Sequence, residues 1–315
     1  MSNYVAAITY GGPEALAVLD ETLGDPGPGQ VKIQVRAIGT NPVDYMFYSG
    51  AMGKDESKLP LRVGSEAAGV VVAVGPDAVG PSGPVSVGDE VIAYRAPGAY
   101  AQELLVPGSA VVPKPSALDW SQAAGLLLTG TTATHTLEAT RVGSGDTVLV
   151  HGASGGVGVF AVQLAKLRGA TVIATASARN HEFLEGLGAV AVEYGPGLIE
   201  RVRAVAPDGV DAAIDLAGTD EAMDVSLELV PDKTRIATIA GFARGLAAGV
   251  RVLGMAPGAD PGTHIRGPAR LELVRLAEEG KLTVVVQETF PLTEAAEAIG
   301  KLMGGHTRGK IVLIP

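Results

Sequence analysis

An α/β fold built around a doubly wound parallel sheet is what the sequence predicts, and three observations predict it. From Thr147 onward, β-favouring runs recur about every 20 to 25 residues, with amphipathic helical stretches between most of them. The first of these runs, Asp146-Thr-Val-Leu-Val-His151, leads directly into the glycine-rich turn Gly152-Ala-Ser-Gly-Gly-Val-Gly158 and the apolar helical stretch Val159 to Leu167. The first third of the chain instead shows short β-like runs broken by Gly and Pro, as at Gly11-Gly-Pro13 and Asp25-Pro-Gly-Pro-Gly29. Parallel strands need crossover connections, so the alternation after Thr147 implies a parallel sheet, and the first third an irregular β-rich part.

Taken in order, strands are expected at Tyr4 to Thr9, Ala17 to Asp20, Gln30 to Ala37, Ala67 to Val74, Glu90 to Ala93 and Ala101 to Val106. A composition shift at Pro113-Lys-Pro115 precedes helical spacing at Asp119 to Gly125 and Thr131 to Ala139, with Asp119 and Ser121 available as caps. Six strands of the doubly wound part follow at Thr147 to Val150, Thr171 to Thr175, Val190 to Tyr194, Ala212 to Leu216, Arg235 to Ile239 and Val250 to Leu253. After Gly262 the sequence predicts a helix from Gly267 to Gly280, a strand about Thr283, a helix from Thr293 to Met303 and a last strand from Lys310 to Leu313. With the six sheet positions filled, this tail is expected to return to the first part. The expected division is therefore 1–120 with 263–315, and 121–262. There is no internal repeat and no low-complexity tract.

Composition narrows the function. The 43 glycines, 47% hydrophobic residues and 4% aromatic residues describe a well-ordered α/β protein of Ala, Val, Leu and Gly. A net charge of −10 without a basic run argues against nucleic acid and acidic membranes as partners. No cysteine occurs, which removes disulfides, thiolate nucleophiles and cysteine-ligated zinc from consideration. The N-terminal stretch carries Glu14 and Asp20 and lacks the apolar core of a signal peptide; no apolar run reaches the roughly 18 residues of a membrane span. A soluble, cytoplasmic protein is expected.

The turn after the first strand reads Ala153-x-Gly155-x-x-Gly158, or equally Gly152-x-x-Gly155-x-x-Gly158, between a strand and a helix. Glycines let backbone approach a pyrophosphate, and the helix points its unpaired N–H groups and positive dipole end at the anion. This predicts a nicotinamide dinucleotide site. The same residues contain Gly152-Ala-Ser154-Gly-Gly156, the G-x-S-x-G of a hydrolase nucleophile elbow, with a late histidine such as His306 to complete a triad. Gly158 and the small Ala161 have no role in that reading, and the β-rich first third does not supply the sheet expected before an elbow. After the second strand the chain reads Ala174-Thr-Ala-Ser177-Ala-Arg179-Asn180 without a carboxylate for a ribose 2′-hydroxyl. Ser177 and Arg179 offer a hydroxyl and a guanidinium to a 2′-phosphate, a charge-assisted contact of about 1.5 to 3 kcal/mol, and predict NADP over NAD. The five histidines show no i, i+4 pairing, so no metal is expected, and His151 reads as a core residue.

Further short stretches complete a pattern: Asn41-Pro-Val-Asp44 with Ser49-Gly50, Gly64-Ser-Glu-Ala-Ala-Gly-Val70, Val87-Gly-Asp-Glu-Val91, Gly98-Ala-Tyr-Ala-Gln-Glu103, Gly130-Thr-Thr132-Ala and Arg308-Gly-Lys-Ile-Val312. With the glycine loop, and in this order, they resemble the medium-chain dehydrogenase/reductase superfamily, specifically its zinc-free quinone oxidoreductase (zeta-crystallin-like) branch. Zinc-dependent relatives carry Gly-His-Glu where this chain has Gly64-Ser65-Glu66, and cysteines that this chain lacks. The resemblance implies a GroES-like catalytic domain made from both chain ends, an inserted Rossmann domain, a cleft holding NADPH, and a homodimer formed through Rossmann sheet edges. It implies hydride transfer from NADPH to a quinone or an α,β-unsaturated carbonyl. The alternatives are an enone or enoyl-thioester reductase on the same scaffold and a non-catalytic NADPH-binding protein.

Residue by residue, the resemblance places Asn41 and Thr132 near the nicotinamide, and Gly155, Gly156 and Val157, beside Ser154, at the pyrophosphate. It places Tyr194 at the 2′-phosphate, and Ile239-Ala240-Gly241-Phe242 along the nicotinamide and substrate pocket. Asn41, Tyr45 and Tyr48 are the candidate groups for stabilising a developing oxyanion. Relatives often carry Thr-Tyr-Ile-Arg where this chain has Tyr45-Met-Phe-Tyr48, so the substrate-facing tyrosine position is shifted or lost.

Overall fold

In the computed structural model, which describes residues 1–315, the ten-residue strand Gln30–Gly39 organises the β-rich part. Val31, Ile33 and Val35 point into the core while Lys32, Gln34 and Arg36 face outward, the period-two alternation of a strand with one buried face. One edge pairs antiparallel with Glu66–Val74; the other is shared by Glu103–Pro107 at its start and Lys310–Ile314 at its end. The sheet runs in the order Val111–Pro113, Glu90–Tyr94, Glu66–Val74, Gln30–Gly39, Lys310–Ile314, Val286–Pro291. Strands from the first third of the chain and from its C-terminal end thus build one sheet. A smaller sheet of Leu16–Glu21, Ser2–Ala7 and Leu61–Arg62 adjoins it, and Val5, Ile33, Tyr48, Tyr100, Leu104, Ile299 and Ile311 share its core.

The middle of the chain forms six parallel strands in the order Val190–Glu193, Thr171–Ala176, Thr147–His151, Ala212–Asp215, Ile236–Thr238, Arg251–Val252. In chain order this is 3-2-1-4-5-6, the doubly wound Rossmann arrangement. Val148, Leu149 and Val150 of the first strand are wholly buried, as a strand covered on both faces requires. Gly156–Leu167, Leu198–Val205, Asp220–Leu229 and Phe242–Ala248 are among the helices between the strands. Thr219 caps one of them, its Oγ1 accepting from the Ala222 N–H at 3.1 Å.

Two units result: Met1–Leu128 with Arg270–Pro315, and Thr129–Ala269. The junctions fall within the helices Leu127–Ala139 and Thr263–Glu278, further along the chain than residues 120 and 262. Both helices begin before their expected starts. Gly130 is buried inside the first, where packing outweighs a cost of about 1 kcal/mol against alanine. Pro268 lies inside the second, its fixed φ compatible with a helix and its missing N–H costing one bond. The strand expected about Thr283 forms instead at Val286–Pro291, where Lys310 and its followers provide the ladder. Leu282 and Val284 are buried without being paired in a strand.

His151, at the end of the first parallel strand, is 2% exposed; its Nδ1 lies 3.3 Å from Thr175 Oγ1 and its Nε2 has no partner. Burial pushes its imidazole down to about 4. The folded state therefore excludes a proton that the unfolded chain binds. The stability this neutral histidine permits is present above pH about 6.5 and lost as pH falls toward about 4. Urea denaturation of wild type and His151→Gln at about pH 7.5 and about pH 5 should show the wild type losing about 2 kcal/mol relative to the variant at the lower pH. An unchanged difference between the two proteins would place the acid sensitivity elsewhere.

Candidate functional site

The Rossmann unit concentrates its polar features at the C-terminal ends of its strands. Gly152 leaves the first strand at φ +70°, a left-handed conformation that favours glycine. Gly155 caps the helix Gly156–Leu167 with ordinary extended geometry. The glycines then divide by cause. A Cβ on Gly158 would lie 2.4 Å from the Gly152 carbonyl oxygen and 2.5 Å from that of Ala153, so glycine lets the helix seat against the strand end. A Cβ on Gly155 meets nothing closer than 3.4 Å, and the fold itself does not require glycine there. Gly155, Gly156 and Val157 are partly exposed at a helix start, where N–H groups lack intrahelical acceptors.

Asn180 is a residue that the sequence reading leaves without a role. It is 6% exposed and donates from Nδ2 to Ser154 Oγ at 3.1 Å and to Ser177 Oγ at 3.3 Å, tying the glycine loop to the turn after the second strand. Ser154 thus has an amide partner rather than a histidine: His151 bonds toward Thr175, and His181 Nε2 lies 3.2 Å from the Ala176 carbonyl oxygen. No base activates Ser154, and the nucleophile-elbow reading fails on geometry. Arg179 and Tyr194 are both exposed, Tyr194 one residue beyond the third strand rather than within it. Thr132 is buried within the helix Leu127–Ala139.

Asp215 and Thr238 were also missed from sequence. Asp215 is fully buried at the end of the fourth strand; its Oδ1 accepts from the Ala217 and Gly218 N–H groups at 3.0 and 2.8 Å, and its Oδ2 from Thr238 Oγ1 at 2.8 Å. Thr238 Oγ1 in turn accepts from the Ala240 and Gly241 N–H groups at 3.2 and 2.9 Å. One carboxylate therefore sets the course of two strand-end turns, including the Ala240-Gly241-Phe242 segment. A polar residue ending an otherwise apolar strand, as Asp215 does, was the available signal.

In the β-rich unit the candidates belong to a buried polar network. Asn41 opens the helix Pro42–Tyr48 through a capping box with Asp44, its N–H donating to Asp44 Oδ2 at 2.9 Å. Its Nδ2 donates to the Gly39 carbonyl oxygen and to Glu66 Oε1, each at 3.2 Å, while its Oδ1 accepts from Lys310 Nζ at 2.6 Å. Lys310 also donates to the Thr40 carbonyl oxygen at 2.8 Å and Glu66 Oε1 at 3.1 Å, and Glu66 Oε2 accepts from the Leu128 N–H at 2.8 Å. Asp44 accepts further from Ser65 Oγ at 2.6 Å and Tyr100 Oη at 3.1 Å. Burial pushes the Asp44 carboxyl up to about 6, opposed by the bond from Ser65, the charge of Lys310 and the bonds from Tyr100 and Asn41.

Two expectations are corrected by this geometry. Asn41 is 1% exposed and its amide is committed on both sides, so it organises the segment rather than presenting a donor to substrate. Tyr48 is wholly buried in the core with its hydroxyl unpartnered, and burial pushes its phenol well above the usual value. Tyr45 is half-buried and packs edge-to-face on Tyr48, with ring centroids 5.5 Å apart; it alone of the three reaches the surface. No three His, Asp or Glu side chains gather at a spacing that could hold a metal ion. At the Gly64-Ser65-Glu66 position, Ser65 is bonded to Asp44 and Glu66 to Lys310, a donor set that does not fit zinc.

Residues 27–116 match the alcohol dehydrogenase GroES-like domain, and residues 187–313 match the zinc-binding dehydrogenase family. The chain is 32% identical to a quinone oxidoreductase of Pseudomonas aeruginosa over 100% of both chains, and 36% identical to a 2-haloacrylate reductase of a Burkholderia species over 99% of both. The solved structure of Escherichia coli quinone oxidoreductase complexed with NADPH aligns at a TM-score of 0.86 and 27% identity, covering 99% of this chain and 100% of that one.

The two loop glycines should separate on mutation. Gly158→Ala drives a methyl group into two carbonyl oxygens and should cost about 1 to 3 kcal/mol in urea denaturation. Gly155→Ala should leave stability within about 0.5 kcal/mol of wild type and instead weaken dinucleotide binding, read by fluorescence titration. A Gly155→Ala protein with wild-type dinucleotide affinity would remove the cradle from this loop.

Proposed function

Because the chain belongs to the quinone oxidoreductase branch of the medium-chain dehydrogenase/reductase superfamily, we propose that it is an NADPH-dependent, zinc-independent oxidoreductase acting on a quinone or an α,β-unsaturated carbonyl compound. The observation that carries the cofactor is the pairing of the glycine turn with a carboxylate-free second strand end. Gly155, Gly156 and Val157 hold the pyrophosphate at the helix start, Ser177 and Arg179 the 2′-phosphate with Tyr194, and Thr132 and Ala240 to Phe242 the nicotinamide end. When bound, the reduced nicotinamide supplies a hydride. The chain's own contribution is orientation, through turns that Asp215, Thr238 and Asn180 fix, and stabilisation of negative charge on the acceptor, for which Tyr45 is the remaining candidate of the three expected groups. The assignment of zinc independence rests on the Ser65 and Glu66 bonding, since both side chains are committed to protein partners. The same reading carries a homodimer in the cytoplasm; no helix is long and apolar enough to cross a membrane.

A second reading, reduction of an activated carbon–carbon double bond as in enones, enoyl thioesters or haloacrylates, is favoured by the 36% identity to the 2-haloacrylate reductase. An acceptor panel with NADPH separates the two: turnover of enones or enoyl thioesters without quinones selects the second. Tight NADPH binding with no turnover across the panel makes the protein a non-catalytic NADPH binder. For the cofactor, wild type should bind NADPH more tightly than NADH, and Arg179→Ala should weaken NADPH by about 10- to 100-fold while leaving NADH unchanged. Equal wild-type affinities overturn the NADPH assignment. Full turnover by protein that elemental analysis shows to be zinc-free is expected; activity that appears only on adding zinc sinks the metal-independent mechanism.

A further inference from the structure

One buried amide joins the two turns that the dinucleotide reading gives to phosphate. Asn180 is 6% exposed, and its Nδ2 donates to Ser154 Oγ at 3.1 Å and to Ser177 Oγ at 3.3 Å. Ser154 lies in the glycine turn after the first parallel strand, Ser177 directly follows the second, and both are half-buried. All three residues belong to the unit Thr129–Ala269. We propose that Asn180 is a positioning residue for dinucleotide selectivity: it holds the two hydroxyls as hydrogen donors, Ser154 toward the pyrophosphate and Ser177 toward the 2′-phosphate. The assignment rests on the NADPH reading and names the residue that keeps this site suited to anions.

A serine hydroxyl has one hydrogen to give and two lone pairs with which to accept, and it turns to suit its neighbours. An amide nitrogen offers hydrogens and no lone pair. Beside Asn180 Nδ2 each serine therefore accepts, and its own hydrogen is directed elsewhere. Neither hydroxyl donates to another protein group, so both hydrogens are left for a ligand oxygen. Two such donors suit an anion, because ionised phosphate oxygens accept and do not donate. A carboxylate in the place of the amide would do the reverse: it only accepts, and would draw both hydroxyl hydrogens inward so that lone pairs faced the phosphates. The turn bearing Tyr194 is shaped separately, by Arg201, which donates to the carbonyl oxygens of Glu193, Pro196 and Gly195 at 2.9, 2.8 and 2.8 Å. A change at Asn180 leaves that side of the site in place.

Asn180→Asp keeps the shape of the side chain and exchanges the amide for a carboxylate, and nicotinamide fluorescence titrates NADPH and NADH without turnover. NADPH affinity should fall about 100-fold and NADH affinity about tenfold, because NADH engages Ser154 alone; the preference for NADPH then drops about tenfold. Ser177→Ala separates an effect carried by the hydroxyl from one of charge alone, which would be the same with and without it. In the Ser177→Ala protein, adding Asn180→Asp should change the preference by no more than about twofold. Should Asn180→Asp not fold, Asn180→Leu, neutral and without donors, takes its place: the preference should fall about threefold with Ser177 present and stay unchanged in Ser177→Ala.

A wild type that prefers NADPH, with an Asn180 variant that keeps the same preference, overturns the role given to Asn180. So does an equal drop in preference with and without the Ser177 hydroxyl. Equal wild-type affinities for NADPH and NADH overturn the NADPH reading instead, and the loss of NADH binding in Asn180→Asp then still decides whether the amide sets the Ser154 hydroxyl. A wild type that binds neither dinucleotide overturns both.

Discussion

The β-rich unit depends on one buried ammonium group. Lys310 Nζ sits among the Thr40 carbonyl oxygen, Asn41 Oδ1 and Glu66 Oε1 at 2.8, 2.6 and 3.1 Å, with the residue 3% exposed. Taking a lysine out of water costs several kcal/mol, offset only when its hydrogens and charge are fully met, as they are here. The consequences spread from it. The C-terminal strand is locked against the end of Gln30–Gly39, the Asn41 amide has a fixed orientation, and the helix Pro42–Tyr48 starts from a rigid cap. Deleting the charge would leave Glu66 buried without its cation, a larger penalty than loss of the pair's own attraction.

In the Rossmann unit the comparable constraint is a contact between backbones. The helix Gly156–Leu167 approaches Gly152 and Ala153 so closely that only a residue without Cβ fits at 158. Neutral and charge-assisted hydrogen bonds then finish the strand ends, from Asp215 through Thr238 to Gly241 and from Asn180 to Ser154 and Ser177. A steric constraint shapes the glycine turn, and side-chain bonds hold the turns beside it in register.

What could be read in the sequence follows the range of the interactions. The six parallel strands and the glycine turn were legible because each is written in a contiguous stretch, with a period that repeats. The helices Leu127–Ala139 and Thr263–Glu278 begin earlier than expected because the local pattern does not record where packing lets a helix start. The polar network was not legible at all, since Lys310 meets Asn41 and Glu66 across 269 and 244 residues, and no local pattern announces such a meeting. Asn41 is expected from sequence to face the reaction, whereas its amide is bonded to Gly39, Glu66 and Lys310. Tyr48 shows the same limit: a tyrosine at the end of a short helix can face solvent or core, and the packing of Ile299, Ile311 and Tyr100 into the same cluster decides for the core.

The polar residues of the two units use water in opposite ways. Arg179 and Tyr194 are exposed, so an attraction between Arg179 and a phosphate acts through solvent and is weakened by salt. Such a contact can choose between two dinucleotides at small cost to the fold and without fixing the cofactor rigidly. Asp44, Glu66 and Lys310 are sealed away, where a bond or charge has far more leverage on a proton than at the surface. A carboxyl can remain a weak acid there only because water is absent. If the same carboxyl stood beside Arg179 it would ionise at ordinary pH and have no proton to give. The network that fixes the fold around Lys310 is thus also the environment that sets the acidity of Asp44.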